Sequence, residues 1–458
     1  MHSQVDYNEF LRDMSGVLGG YYIALALLNF AAAWWLWRGQ RTRALGRVRP
    51  WRGTSAALWL IVGLFYAALV PIALSGDPHW MQWITLPLSW RDLLDRLLGP
   101  VVLSVGLVVG FFVFLKGRRF FVRPAVAWTV LNLFLFWMGL SLLDRDFAAI
   151  IGKPDNVPIV GMVLLTGFFT WLATWRAVRN DQRLAAGRPP EEAEASETVL
   201  VWPDLVYIEL ICMVAVTAVL IVWSIEIKAP LEGPASVMQT PNPSKAPWYF
   251  VGLQELLVYF DPWMAGVVIP CLIIFGLLAI PYLDKNECGN GYYTIAQRKF
   301  AYVVFQFGFL LLWLAMILIG TFMRGPNWNF FGLYQTWDPH KAQLLNNVNL
   351  SDYYWVQFRG MPLPTAPAGA SEAVRVGYVL LREAPGLIFL TLYFFGLPPL
   401  LLLVSQRVRG LYRQLGVIRF VILAALLLIM ALVPIKMICR WSFNLKYIVA
   451  IPELLLNL

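Results

Sequence analysis

The chain has little of what most often holds cofactors: among 458 residues there are 3 histidines and 4 cysteines. His2, His79 and His340 fall in a tail or in loops, and none lies in a long apolar run. A haem held between membrane helices needs axial ligands, usually histidines, so this chain alone is not expected to bind bis-histidine haem. Cys212, Cys271, Cys288 and Cys439 are far apart, with no CxxC pair, no CxxCH site and no zinc-ligand spacing. They read as apolar packing. Charge is scarce too, at 14% of residues, against 59% hydrophobic residues and a mean hydropathy of +0.64. Such a balance excludes a soluble globular domain. Also missing is the alternation over segments of roughly 10 residues that marks an outer-membrane barrel.

What is present is a series of apolar runs long enough to span a bilayer, near 20–37, 56–75, 99–115, 125–143, 157–175, 205–225, 263–283, 300–323, 383–405 and 417–438. The expected fold is therefore all-α and polytopic, with about ten spans. The loops give a topology. Basic clusters follow the first run (Arg38, Arg41, Arg43, Arg47, Arg49, Arg52), the third (Lys116, Arg118, Arg119, Arg123) and the fifth (Arg176, Arg179, Arg183, Arg188). Others follow the seventh (Lys285, Arg298, Lys299) and the ninth (Arg407, Arg409, Arg413). By the positive-inside rule these loops are cytoplasmic. Loops 76–98, 144–156, 226–262 and 324–382 mix acid and base and are expected outside, with both termini. The net charge of +9 thus reports topology, and no nucleic-acid partner is expected. The N-terminal segment has more acid than base before its first apolar run, unlike a cleaved signal, so that run should remain as a span.

The longest polar stretch on the cytoplasmic side divides the chain into a five-helix region at 1–180 and a linker at 181–202. Beyond it come helices at 203–323, an outer loop at 324–382, and two helices with a tail at 383–458. The halves show no repeat of the kind that marks many transporters. Within the spans, Glu209 lies one turn from a cytoplasmic end, where snorkelling accounts for it as well as function does. Asn29 and Asn132 suit interhelical hydrogen bonding, and His340 suits a structural role in its loop.

The outward stretch 242–263, NPSKAPWYFVGLQELLVYFDPW, is of another kind. Prolines at 230, 234, 241, 243 and 247 favour an extended path over the membrane surface, and VGLQELLVYF reads as a short amphipathic helix stopped at Asp261-Pro262. Trp248, Tyr249 and Phe250 could wall a cleft for a flat, apolar-faced quinol ring, with Glu255 accepting a proton and turning toward outside water. An interfacial aromatic belt with a solvated Glu255 fits the residues equally well.

Residues Asn242 to Phe250, followed by a span ending Ile280-Pro281-Tyr282-Leu283-Asp284, resemble the C-terminal part of cytochrome b of bacterial bc-type quinol–cytochrome c oxidoreductases. In some such complexes this part is a separate chain, subunit IV. The likeness extends over about 203–323. The family's Pro-Glu-Trp-Tyr motif lines its quinol-oxidation site; here it reads Ala246-Pro247-Trp248-Tyr249, with Pro247 in place of the glutamate. The resemblance implies a haem-free subunit in a bacterial cytoplasmic membrane, with a quinol site at Pro247, Trp248, Tyr249 and Phe250 and with Glu255 as the substitute proton acceptor. It further implies partner chains carrying haem b, a Rieske-type iron–sulfur cluster and haem c (a cytochrome c), in membrane lipid and with a dimer of complexes open. A quinone-docking anchor of a different respiratory oxidoreductase is the alternative. The first five spans do not share the likeness.

Overall fold

The computed structural model describes residues 2–41, 51–194, 199–226, 234–238, 240–289, 293–341, 347–454 and 456–458. Arg43, Arg47, Arg49 and Pro230 lie outside the described residues, as do the side chains of His2, Arg41 and Arg52. Among the described residues, 10 helices are long and apolar enough to cross a membrane. In the first half these are Tyr7–Arg38, Ala56–Leu74, Pro100–Phe121, Pro124–Ser141 and Asn156–Ala185. The second half contributes Val201–Glu226, Met264–Leu283, Lys299–Phe322, Ala384–Val404 and Val417–Phe443. The protein is an all-α, polytopic membrane protein. Its strands amount to one short antiparallel pair in the tail, Ala450–Ile451 with Leu456–Asn457, among the described residues.

Hydrogen bonds sort the loops into two ends. At one end Arg91 pairs with Asp144, Tyr334 N–H donates to Asp95 at 3.3 Å, the Thr336 hydroxyl to Asp146 at 2.9 Å, and Asn242 to Asn327 at 3.0 Å. At the other, the Trp171 indole donates to the Val122 carbonyl at 3.2 Å and Asn180 to the Tyr293 carbonyl at 3.0 Å. There Asp181 also accepts from Ile295 and Ala296 N–H at 3.1 and 2.9 Å. The first set comprises loops that the charge pattern assigns outside, and the second comprises loops assigned to the cytoplasm. Hydrogen bonds and charge thus group these loops into the same two sets.

The first, second and fourth spans make one apolar bundle around Leu18, Tyr22, Leu25, Tyr66 and Leu135. Inside it Asn29 donates to Asn132 at 2.7 Å and receives the Trp128 indole at 3.0 Å, which is the interhelical bonding expected of both. The third and fifth spans turn to the second half instead: Phe111 meets Phe307 edge-on at 5.7 Å, and Ile159 shares a core with Met316 and Leu432. Packing therefore runs across the sequence boundary at the linker. The linker itself folds back, its short helix Glu191–Glu194 paired through Arg179–Glu191 and Arg183–Glu194.

The sixth span stands clear: no residue of Val201–Glu226 is buried, and Glu209 is exposed in its first helical turn. Over the outward end, residues 324–341 and 347–358 and the described residues after Phe443 build a cap. Leu350 N–H donates to the Tyr447 carbonyl at 2.9 Å, and the tail lies so close on the ninth span that a Cβ on Gly386 would fall 2.0 Å from the Ile448 carbonyl oxygen.

Candidate functional site

The stretch 247–256 is built as its composition dictates. Pro247, lacking an N–H, caps the helix Trp248–Leu256, where a missing donor costs nothing. Its carbonyl receives Phe250 and Val251 N–H at 2.8 and 2.9 Å. Gln254 reaches back to fix the approach, accepting from Ala246 N–H and donating to the Ser244 carbonyl, both at 2.8 Å. Val251, Gly252, Glu255 and Leu256 are buried. Spaced at i, i+1, i+4 and i+5, they make one inward stripe.

That stripe lies along the eighth span. A Cβ on Gly252 would stand 3.3 Å from Ile317, and one on Gly320 would stand 3.1 Å from Val251, so the two glycines let the helices close up. At the deep end of the contact the Trp248 ring meets Trp313 at 6.4 Å. Trp313 continues a stack through Phe309 to Phe305 at 5.4 and 5.6 Å. Tyr249 and Phe250 add rings 4.9 Å apart and are exposed, as are Trp248 and Phe305. Residues 307–314 form a wider, i→i+5 helical stretch, a feature frequent at functional sites. Together these rings form an open aromatic face on the membrane side.

At the shallow end stands Glu255, and here the structure departs from expectation. Its side chain is 0% exposed, against 1% for its partner Arg324. Arg324 Nε donates to Oε2 at 2.8 Å and Nη2 to Oε1 at 2.6 Å, a two-pronged pair. The Tyr259 hydroxyl adds a bond to Oε1 at 2.9 Å, and the Trp441 indole donates to that hydroxyl at 3.1 Å. A carboxylate bound at both oxygens and closed from solvent is not the free, water-facing group the sequence suggested. The reason is Arg324, 69 residues away in sequence. Burial acts to lower the Arg324 pKa, and the Glu255 charge and hydrogen bonds reverse this and raise it. Burial, with the Glu255 charge beside it, drives the Tyr259 phenol far above its usual range, so it serves as a donor.

One further group was not singled out from the sequence. Lys245 Nζ donates to the Thr321 carbonyl at 2.7 Å and lies 5.0 Å from the centre of the Trp337 ring. Burial, then the charges of Lys153 and Arg324, pull its pKa from 10.5 to about 7, with Glu255 opposing. The sequence signal was a lysine three residues before Trp248, the one charged residue between Glu232 and Glu255. His79 and His340 are exposed and apart from this cluster, and no group of three or more metal-ligating side chains occurs among the described residues.

These features define a class: a polytopic helical membrane protein with a short helix laid along one span, aromatic toward the membrane and charged toward the cap. Residues 234–335 match the family described as cytochrome b(C-terminal)/b6/petD. The match covers the aromatic helix, the seventh and eighth spans and Arg324, and shows for this segment the likeness to the C-terminal part of cytochrome b. No solved structure matches the chain. The family match supports a membrane subunit of a cytochrome bc-type complex, with membrane partners.

Proposed function

We propose that the chain is a haem-free subunit of a bc-type quinol–cytochrome c oxidoreductase in a bacterial cytoplasmic membrane, and that it forms part of the outward quinol-oxidation site. The observation that carries this reading is the aromatic face of Trp248, Tyr249, Phe250 and Trp313 inside the family-matched segment. Quinol enters laterally from lipid, and its ring lies against these side chains behind the Pro247 turn. Partner chains supply haem b, a Rieske-type cluster and a cytochrome c as the electron route. This chain's own residues bind, orient and exclude water.

Glu255 has a different task from the one its sequence position suggested. Locked to Arg324 and Tyr259, it fixes the far end of the aromatic helix to the cap, so that the rings at the near end keep their place. The test is quinol-driven cytochrome c reduction by the complex purified through a tag on this chain, with and without an inhibitor of outer-site quinol oxidation. Inhibitor-sensitive turnover is expected, with Trp248→Ala raising the apparent KM. No turnover in a preparation that retains haem and quinone would instead favour the membrane anchor of another oxidoreductase.

A further inference from the structure

The Pro247 position carries no carboxylate, and Glu255 is fully engaged, so the proposed site lacks the acid–base group first sought for it. The geometry offers another. The aromatic helix runs alongside the eighth span, Trp248 beside Trp313 at the deep end and Glu255 beside Arg324 at the shallow end. Lys245 contacts Thr321, eight residues beyond Trp313, which at 1.5 Å per residue is about 12 Å nearer the cap. Lys245 thus sits in the short loop that leads into the ring-bearing helix, nearer the cap than Trp313.

We propose that Lys245 carries the proton released on quinol oxidation from the aromatic face toward outer water; this rests on the function proposed above. In the step, the quinol O–H bond breaks at the aromatic face, the proton crosses to Lys245 through intervening water, and an N–H bond forms at neutral Lys245. The electrons leave one at a time to the iron–sulfur and haem acceptors of the partner chains. The ammonium then releases the proton outward.

Three features support it beyond position. The Lys245 ammonium has one hydrogen-bond acceptor, a backbone carbonyl, and no carboxylate within ion-pair distance among the described residues. The Thr321 hydroxyl, on the residue whose carbonyl Lys245 contacts, is buried without a hydrogen-bond partner among the described residues and is open to a bridging water. The charged groups that act on Lys245 come from three elements: Lys153 on the loop before the fifth span, itself 2.9 Å from Asp155; Arg324 at the start of the cap; and Glu255 on the aromatic helix. Burial first, and then two cations against one carboxylate, lower the Lys245 pKa to about 7 and leave the ammonium poorly compensated.

The experiment is the pH dependence of turnover in the intact complex, comparing wild type with Lys245→Met, Lys245→Arg and Lys245→His. Wild-type turnover should rise with pH through about 7, as Lys245 becomes neutral and able to accept. Lys245→Met and Lys245→Arg should both lose that rise and run on the order of 100-fold slower. Lys245→His should recover part of the rate with the rise displaced to lower pH. Retained haem content and inhibitor binding in each variant separate these outcomes from misfolding. If Lys245→Met keeps both the rate and the rise while the wild type is active, this inference is overturned and the quinol site stands. If the wild-type complex has no quinol turnover, both fall together.

Discussion

The bundle of the first, second and fourth spans and the cap over the second half solve the same problem with different chemistry. In the bundle, buried polar groups are neutral: Asn29 and Asn132 satisfy each other, and Tyr66 donates to the Asn132 carbonyl at 3.0 Å. Where the aromatic helix and the end of the tenth span meet the cap they are charged: Glu255, Arg324, Lys436 and Arg440 are all buried. An amide can be removed from a membrane interior with modest loss, because neighbouring backbone groups offer substitutes. Half of a buried ion pair cannot, because the remaining charge stays behind uncompensated. The bundle is therefore a tolerant region and the cap a brittle one. The brittle region is the one that adjoins the aromatic face.

This contrast can be broken or sharpened by measurement. The largest effect should come from Arg324→Met, which strands Glu255. Thermal unfolding of the complex in detergent should show a loss of about 3–5 kcal/mol, and restoring much of it with Glu255→Met in the same chain would show that the stranded charge is responsible. Leu18→Ala in the bundle, at a side chain 0% exposed, should cost about 3 kcal/mol through the cavity it leaves. Asn29→Leu should cost less, roughly 0.6–1.7 kcal/mol; a loss as great as that of Arg324→Met would erase the distinction between the regions. The smallest change is expected from Lys153→Ala. Its pair with Asp155 has both side chains substantially exposed, 52% and 44%, so stability should shift by about 0–1 kcal/mol. Removing that cation nevertheless takes away one influence lowering the Lys245 pKa. The pH at which turnover rises should move upward, with stability nearly unchanged.

The spans were legible because length and apolarity are properties of single segments. The ten expected runs all fall on the ten helices found, though the first span begins at Tyr7, earlier than its apolar run suggests. The short helix was legible in part: expected over 251–260 and stopped at Asp261-Pro262, it spans Trp248–Leu256, because Pro247 caps it three residues earlier and so places Trp248, Tyr249 and Phe250 on it. Partnerships were not. Tyr259 lies four residues from Glu255 and could be guessed from helical spacing, but Arg324 and Trp441 reach the same cluster from the start of the cap and the end of the tenth span. Nothing in a one-dimensional pattern says which of the chain's arginines will find that carboxylate. The positioning role proposed for Glu255 rests on that partnership. Lys245 carried no role in the sequence for a related reason, since its contacts, Trp337 and Thr321, are remote in the chain.

The sixth span remains, with no residue buried along Val201–Glu226. A helix of this kind gains its stability from the bilayer at insertion and draws none from its own chain afterward. Its whole circumference is left to lipid and to neighbouring chains, so substitutions along it should leave the fold of this chain unchanged and report only on what surrounds it.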